Sequence, residues 1–407
     1  MQSIFFSSTA VGLWLWAAAS GLAADPSPPG LRSATLVEGP AFHGRFVGAQ
    51  SEPTWQLRFD TAGRARELPA EQLVLWGGFL ESASALKIVL AGGGLVVADN
   101  VRIDDERLRG TSRLLGKLDV PLKLVAGIIF RPPRDRTSLD QLVDRIESAG
   151  GQTDRAILDN GDELAGTIEQ LTAESLNLAT DTGRLTVESK GLSTLIFNPV
   201  LLDKPKLSGL RMLVGFSDGS RVTASSLSAD AHTAELKLAG GAEIHAATES
   251  IVALQPLGGR TVYLSDLKPA GYRHIPFLQL SWPLGLDHTA LGGLLRCEGK
   301  LYLKGLGMHS PSRVTYTLNR PYRSFEAEVA LDAESRLRGS VVFRVFVDDG
   351  SGRWRDAATS EIVRGGDPPR SMRADLAGAK RISLLVDFAD HGDELDHADW
   401  LNPRLVE

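Results

Sequence analysis

The stretch Lys304-Gly-Leu-Gly-Met-His-Ser310 decides how the last third of the chain folds. Its glycines indicate places where a Cβ atom would clash with another strand or with a ligand. Farther along, residues 341–347 form an apolar strand sequence that runs into the turn Asp348-Asp349-Gly350. The block ends with Asp396-His397-Ala398-Asp399-Trp400. No long helix is indicated, and the pattern predicts an antiparallel two-sheet sandwich of short strands.

Several short motifs in this block follow one another in a familiar order. From about residue 261 to 407, the sequence resembles the NPCBM family, carbohydrate-binding modules found beside glycoside hydrolase domains. The motifs that carry the resemblance are Tyr263-Leu-Ser-Asp-Leu267, Gly292-Gly293, Gly305-Leu-Gly-Met-His-Ser310, Phe325-Glu-Ala327, Gly339-Ser-Val-Val-Phe343, Asp349-Gly350 and the closing Asp-His-Ala-Asp-Trp. The resemblance implies a galactose-binding-like jelly roll that binds carbohydrate.

Length and composition limit the architecture of the whole chain. Its 407 residues suffice for two or three domains, and the 43% hydrophobic content predicts well-formed cores. Aromatic residues are few and glycines number 42, a balance typical of many short strands and turns. The net charge of −6 with interspersed signs and no basic stripe argues against nucleic acid as a partner. A single cysteine excludes an intramolecular disulfide.

The first residues have the composition of an export signal. An apolar run within residues 1–24 precedes small residues and a proline-rich segment, as in a secretory signal peptide. The alternative is an uncleaved membrane anchor, although the run is shorter than the roughly 20 residues that a spanning helix needs. We therefore predict a secreted, periplasmic or cell-envelope protein with no membrane span after signal removal.

Residues 25–258 show a faint repeat. The clearest unit begins near Ala156 and ends at Phe197, and a second copy runs from Arg211 to Leu254. Their Asn-Gly and Asp-Gly pairs supply the positive φ of tight hairpins. Two weaker copies precede them, and the units resemble small Sm-like barrels. The predicted fold is all-β, with repeated small β-barrel-like units in 25–152 and 153–258, one short helix, and a jelly-roll sandwich in 261–407.

The one predicted helix lies between the second and third units. Ser138 and Gln141 form a capping-box sequence, and an apolar face follows at helical spacing up to Ile146. Gly150-Gly151 ends it. We expect this helix to pack on a sheet.

A sugar site needs short polar side chains and a flat apolar surface. The predicted carbohydrate-binding residues are His309, Ser310, Asp349, Asp396, His397 and Trp400. Alternatives stay open for most of them. His309 contacts a ligand hydroxyl or ties two loops together, and Trp400 stacks on a sugar or fills the core. The densest polar set, which binds sugar or metal or closes the fold, comprises His391, Asp393, Asp396, His397, Asp399 and Trp400.

The resemblance also implies one structural calcium ion, because galactose-binding-like domains often carry one. Asp266, Asp332 and Glu334 are the candidate ligands, since calcium is bound by oxygen atoms.

Signatures of catalysis are weak in this sequence. Gly215-Phe-Ser-Asp-Gly219 matches the letters of a hydrolase nucleophile motif, but hairpin strands flank it instead of a strand and a helix. The glycines at 305 and 307 lack the third glycine and the helix of a dinucleotide loop. Nothing marks a pair of glycosidase carboxylates.

Three hypotheses for function follow. The first is a secreted non-catalytic protein whose C-terminal module binds a hexose of galactose type on a glycan. The second is a structural or interaction module of the cell envelope without sugar binding. The third is a glycoside hydrolase whose catalytic unit lies unrecognised in residues 30–260.

Overall fold

A computed structural model describes residues 30–81, 85–204, 208–276, 280–335, 337–390 and 392–407. The predicted signal peptide, residues 1–24, and His391 lie outside these ranges. Within them the chain is almost entirely β, which confirms the predicted fold class. No helix among the described residues is long and apolar enough to cross a membrane.

Four β units form the part of the chain before the sandwich. Unit I contains β1 Arg32–Leu36, β2 Phe42–Gln50, β3 Gln56–Asp60, β4 Ala65–Pro69 and β5 Leu73–Gly77. Unit II contains β6 Leu86–Leu90, β7 Gly94–Ala98, β8 Asn100–Asp104, β9 Arg107–Ser112, β10 Gly116–Pro121 and β11 Val125–Ile129. The helix α1, Arg136–Glu147, follows unit II.

The second pair of units repeats this plan. Unit III contains β12 Asp154–Leu158, β13 Glu163–Leu171, β14 Ser175–Thr180, β15 Gly183–Glu188 and β16 Leu192–Ile196. Unit IV contains β17 Arg211–Phe216, β18 Arg221–Ala229, β19 Thr233–Leu238, β20 Glu243–Ala247 and β21 Ile251–Leu257. In each unit a single 3₁₀ turn precedes the last strand.

Each unit curls so that its first strand pairs with its last. The antiparallel pairs are β1–β5, β6–β11, β12–β16 and β17–β21. The last strands then pair between units, β5 with β21 and β11 with β16. Unit I is therefore joined to unit IV, and unit II to unit III.

Turn residues behave as the sequence predicts. Gly161 and Gly219 end the Asn-Gly and Asp-Gly pairs and have φ of 89° and 87°. The second of these turns joins β17 to β18, so the Gly215-Phe-Ser-Asp-Gly219 letters form a hairpin with no helix after it. This geometry is not that of a nucleophile elbow.

The helix α1 begins earlier than the capping-box interpretation predicts. Asp135 is the N-cap, and its carboxylate accepts a hydrogen bond from the Ser138 amide at 2.8 Å. Ser138 therefore lies in the first turn. The apolar face of the helix, which includes Ile146, packs as predicted on sheet residues of units II and III: Val89, Leu95, Ala126, Ile129 and Ile196.

The C-terminal region is a two-sheet sandwich. Its strands are β22 Thr261–Tyr263, β23 Gly271–His274, β24 Gly285–Leu286, β25 Leu295–Cys297, β26 Lys300–Tyr302, β27 Gly305–His309, β28 Ser312–Thr317, β29 Ser324–Leu331, β30 Ser340–Asp348, β31 Arg355–Thr359, β32 Val363–Arg364, β33 Arg370–Asp375, β34 Arg381–Phe388 and β35 His397–Val406. One sheet has the order β24-β27-β35-β29-β33, and the other β23-β28-β34-β30-β31. We call the first the inner sheet because the β units pack against it. Its outer face is the one turned away from the sandwich core and toward the β units.

Candidate functional site

Two histidines face each other across neighbouring strands of the inner sheet. In the register of β27 with β35, His309 lies opposite His397 and Gly307 opposite Asp399. Leu306 and Met308 point into the sandwich core. Since side chains alternate along a strand, His309 and His397 project from the outer face of the sheet. Their ring centroids are 5.1 Å apart.

The two glycines of β27 allow a loop to approach this strand. A Cβ atom on Gly307 would lie 2.4 Å from the His288 carbonyl oxygen, and one on Gly305 would lie 2.3 Å from Leu295. No side chain fits at such distances. The predicted clash at these glycines is therefore with the backbone and side chains of the protein itself.

Trp282 covers the histidine pair. Its ring stacks on His309 with a centroid distance of 5.0 Å and an interplanar angle of 17°, and its edge contacts His397 at 5.4 Å. The Trp282 amide donates to Nδ1 of His274 at 3.2 Å, and the Tyr272 hydroxyl donates to the Trp282 carbonyl at 3.1 Å. These bonds fix the loop that carries the tryptophan. We call His274, Trp282, His309 and His397 the loop-end cluster.

The exposure of the loop-end cluster falls from its surface inward. Trp282 is half-buried, whereas the exposed fractions of His309 and His397 are 4% and 6%. Trp282 is thus the member of the cluster that a ligand in solution meets first.

Both histidines are neutral near pH 7. Burial lowers the pKa of His309, and burial with the neighbouring His309 lowers the pKa of His397 to about 4. Nδ1 of His309 lies 2.9 Å from the Ser310 carbonyl, so this nitrogen carries the proton and donates. Nε2 of His309 is therefore an acceptor. A neutral aromatic cluster with an imidazole acceptor suits an uncharged ligand with hydroxyl groups.

Ser310 and Asp396 tie two loops together behind the cluster. Both are fully buried, and the Ser310 hydroxyl donates to the Asp396 carboxylate. The other carboxylate oxygen of Asp396 accepts from the Ser340 amide at 2.8 Å. Burial raises the pKa of Asp396 to about 6. These contacts match the alternative in which Asp396 closes the fold, and neither side chain reaches solvent for direct contact with a sugar.

Trp400 belongs to the core of the sandwich. Its exposed fraction is 0%, and its ring packs edge-on against Phe325 at 5.9 Å and Phe343 at 5.1 Å. A ring enclosed in this way offers no face to a ligand. The inclusion of Trp400 among the sugar-binding residues is therefore corrected in favour of the core alternative.

Asp349 lies at the other end of the sandwich. It follows β30, whose first residues Ser340 and Val341 are near the loop-end cluster. Because a strand rises about 3.3 Å per residue, the length of β30 places Asp349 roughly 30 Å from Ser340. Its neighbours there are Arg381, which pairs with Asp348, and Trp354. The structure does not bring Asp349 to His309, so this residue is removed from the candidate site.

The three predicted calcium ligands do not form a common cage. Lys304 donates to Asp266 at 2.6 Å. Asp332 accepts from the Glu334 amide at 2.8 Å, while the Glu334 carboxylate accepts from the Thr137 hydroxyl of α1 at 2.6 Å. In the described ranges, the group of three metal-binding side chains with ligand atoms within 4.8 Å is Glu235, Glu243 and His245, all exposed on unit IV. The residues present therefore do not fit the implied calcium ion.

Asp332 has a different buried partner, Asp399. The two carboxyl groups lie within hydrogen-bonding reach of each other, and burial together with this neighbour raises the pKa of Asp399 well above its ordinary value. Neither carboxyl oxygen of Asp399 has a hydrogen-bond partner among the described residues. Two buried carboxyl groups side by side share one proton.

The sequence analysis missed Trp282 and His274. Both belong to the segment between β23 and β24, where the sequence contains Ser281-Trp282-Pro283. An aromatic residue before a proline in an irregular segment was the available signal. Its link to His309 depends on how the loop folds over the sheet, which strand patterns do not specify.

A β-sandwich with a half-buried tryptophan above two neutral histidines at its loop end has the features of a carbohydrate-binding module. The family model of the NPCBM/NEW2 domain matches residues 260–406, which confirms the resemblance predicted from the sequence.

Individual relatives are similar to this region. A protein of Renibacterium salmoninarum named as an endo-alpha-N-acetylgalactosaminidase is 30% identical over 115 residues, which cover 28% of this chain and 7% of that protein. The chain therefore spans a small part of its relative's length.

Two solved structures are similar as well. A CBM51 module of Clostridium perfringens in complex with methyl-galactose is 23% identical, with a TM-score of 0.31, over 36% of this chain and 99% of that one. Tandem CBM51 modules of Streptococcus pneumoniae are 11% identical, with a TM-score of 0.31, over 64% of this chain and 90% of that one.

Proposed function

We propose that this chain is a secreted, non-catalytic protein whose C-terminal sandwich binds a galactose-type hexose of a glycan at the loop-end cluster. The observation that carries the proposal is the stacking of half-buried Trp282 on His309 within the segment that matches the NPCBM/NEW2 domain. This arrangement supplies an aromatic surface and a hydrogen-bond acceptor at one place.

The chemistry of the cluster favours a neutral sugar. Burial keeps the imidazoles uncharged, so an anionic ligand gains no ion pair from them. An indole ring packs against the C–H face of a pyranose, and Nε2 of His309 accepts a hydrogen bond from a hydroxyl group. Galactose-configured sugars have an axial 4-hydroxyl that leaves one ring face apolar. The name of the Renibacterium salmoninarum relative refers to such a sugar, N-acetylgalactosamine.

The proposal is tested with the full chain on a glycan array, followed by calorimetric titration with galactose, N-acetylgalactosamine and glucose. We expect the two galactose-configured sugars to bind more tightly than glucose. A folded chain that binds no glycan would overturn the proposal. Incubation with galactose-terminated oligosaccharides tests its non-catalytic part, since release of free sugar contradicts it.

Two tryptophan variants locate the binding site. Trp282→Ala should weaken binding about tenfold or more, because stacking on an aromatic ring contributes about 1 kcal/mol or more. Trp354→Ala is the matched control, since this ring is 37% exposed at the far end of the same sandwich. If Trp354→Ala reduces affinity and Trp282→Ala does not, sugar binding occurs near Asp349 instead.

One observation favours a second function, assembly at the cell envelope. Ile275, Leu280 and Phe388 are at least half exposed. The Ile275 amide donates to the Pro311 carbonyl oxygen. Phe388 is the last residue of β34 and pairs with Val341 of β30. Both residues therefore lie beside the loop-end cluster. Exposed apolar groups that are close together mark interaction surfaces. Light scattering of the full chain tests this function, and self-association abolished by Phe388→Ser together with silence toward glycans would favour it.

A further inference from the structure

A cavity of about 140 Å³ lies where the sandwich meets the β units. Unit II contributes Lys87 from β6, and unit IV contributes Arg221 from the start of β18. The helix α1 contributes Asp140, and the sandwich contributes Arg296 from β25. We call this space the junction cavity. Four separate parts of the chain thus place charged groups around one partly open cavity.

Lys87 is a buried cation with little compensation. Its exposed fraction is 1%, and its ammonium group donates to the Ala85 carbonyl at 3.1 Å. No carboxylate of the described residues lies within 4.0 Å of it. The residues outside the described ranges contain a single acidic side chain, Asp25. The residues between Glu81 and Ala85 are Ser, Ala and Ser, which carry no charge.

Arg221 brings a second positive charge to the same cavity. It is close enough to Lys87 for the two charges to repel, and no ion pair of Arg221 within 4.0 Å joins the described residues. Asp218 acts on Lys87 from a distance, and Asp140, Glu147 and Glu81 act on Arg221 without forming an ion pair within 4.0 Å.

The carboxylates that line the junction cavity are already engaged. Asp140 receives two hydrogen bonds from the guanidinium of Arg296, at 2.6 and 3.1 Å. Glu81 pairs with Arg296 and with Arg136. Arg134 adds a further cation to the lining. Both lining carboxylates are therefore paired with Arg296, and they act on Arg221 only from beyond ion-pair distance.

Lys87 and Arg221 repel each other, and neither forms an ion pair within 4.0 Å among the described residues, so an anion between them is favourable. Transfer of a charge out of water is expensive when it is not paired. The effect is visible in Lys87 itself, because burial lowers the pKa of its ammonium to about 8. An anion between Lys87 and Arg221 removes their mutual repulsion and supplies acceptors for both.

We propose that the junction cavity binds a small oxyanion of the phosphate or sulfate class, held by Lys87 and Arg221. A tetrahedral oxyanion occupies roughly the volume of two or three water molecules, near 30 Å³ each, so it fits in 140 Å³. The guanidinium group of arginine matches two oxygens of such an ion, and lysine provides a point charge. The site is separate from the loop-end cluster and does not depend on the proposed sugar binding.

The location gives the anion a structural consequence. Lys87 and Arg221 belong to different β units, and Arg296 on the same cavity wall belongs to the sandwich. A bound oxyanion therefore connects units II and IV beneath the sandwich. Any ligand that binds the folded chain alone raises its melting temperature in a saturable way.

Thermal unfolding of the full chain tests the proposal, with sodium sulfate or sodium phosphate titrated against sodium chloride at equal ionic strength. We expect the melting temperature to rise and level off at millimolar oxyanion. Lys87→Met should abolish this saturable rise and should itself raise the melting temperature in chloride, because it removes an uncompensated buried charge. Lys268→Met is the control, since Lys268 is exposed in the sandwich, and it should behave like the wild type.

Two results would overturn the proposal. A rise that does not saturate, or that persists in Lys87→Met, would indicate a general salting effect of these ions. A Lys87→Met chain that melts lower than the wild type in chloride would show that the ammonium is already satisfied within the protein. A further arm with glucose 6-phosphate distinguishes a free ion from a phosphate ester as the ligand. Stabilisation by both ligands indicates that the cavity opens to larger phosphate esters.

Discussion

The loop-end cluster and the junction cavity are both polar regions inside the protein, but they manage charge in opposite ways. The cluster consists of aromatic rings, and burial keeps its two central histidines neutral. The cavity gathers guanidinium, ammonium and carboxylate groups that remain charged. The cluster reaches solvent through Trp282, whereas the cavity lies between the β units, the helix α1 and the sandwich.

This difference suits the loop-end cluster to ligand binding and the junction cavity to holding the β units and the sandwich together. A neutral, rigid aromatic surface can release a ligand without leaving an unpaired charge behind, which suits reversible binding of a sugar. A charged cavity between domains is strongly destabilised when one partner is removed, because the remaining charge stays buried. Variants in and around the two regions should therefore differ in what they damage.

The largest effect is expected in the core that supports the cluster. Trp400→Ala removes a fully buried ring between Phe325 and Phe343 and should reduce the free energy of unfolding of the sandwich by about 4 kcal/mol. Denaturant titration measures this loss, with Trp354→Ala as the control at less than about 1 kcal/mol. Loss of sugar binding in a Trp400→Ala chain of unchanged stability would contradict the core assignment.

The next effect is expected at the junction cavity. Asp140→Ala deprives buried Arg296 of a two-pronged partner and removes the acceptor of the Leu294 amide, which is 2.8 Å away. We expect a loss of about 3 kcal/mol in the free energy of unfolding. Asp119→Ala is the control, because its pair with Arg107 is exposed and contributes less than about 1 kcal/mol. Equal losses in the two variants would remove the distinction drawn for the cavity.

The pH dependence of stability should reveal the neutral histidine. His397 has a folded pKa of about 4, so its contribution is present above its ordinary pKa of 6.5 and is lost as the pH falls toward 4. Asp396, with a pKa of about 6, acts in the opposite direction over nearly the same window, since its penalty grows as the pH rises from 4 to 6. The two contributions offset each other in the wild type.

Replacement of His397 should make visible the pH dependence of stability that Asp396 causes. Relative to the wild type, His397→Gln should become less stable by on the order of 3 kcal/mol as the pH rises from 4 to 6.5. Urea unfolding at several pH values measures the difference, and Asp396→Asn should show the reverse trend. A constant difference between wild type and His397→Gln would mean that His397 is not desolvated in the folded chain.

The smallest effect concerns the cover of the cluster. Trp282→Ala exposes the ring of His309, so the pKa of His309 should rise toward its ordinary value, with less than about 1 kcal/mol of change in stability. Titration of the imidazole signals by nuclear magnetic resonance follows this shift. An unchanged His309 titration would show that other groups bury the ring.

The elements that depend on local sequence were predictable. Alternating apolar positions and Asn-Gly or Asp-Gly turns indicated the β units, and their hairpins form as expected. The clash argument for Gly305 and Gly307 needed only the absence of a side chain in a strand.

Features that depend on long-range pairing were not predictable from these patterns. By residue type Asp266 is a potential metal ligand, but in the structure its carboxylate accepts a hydrogen bond from Lys304. Asp349 belongs to a characteristic motif, yet the length of β30 places it at the wrong end of the sandwich for His309. Trp282 and Trp400 are alike as residues, and only the folding of the segment after β23 decides which of them meets solvent.

The pairing of the last strands has a consequence for how the chain is made. β5 of unit I finds its neighbour, β21, only after units II and III have been synthesised. Until then β5 is an edge strand of unit I with one unpaired side, and such an edge can pair with a strand of another chain. In sequence order, the pairing of unit I with unit IV therefore encloses the pairing of unit II with unit III. If translation stalls within unit IV, this side of the edge strand of unit I remains unpaired.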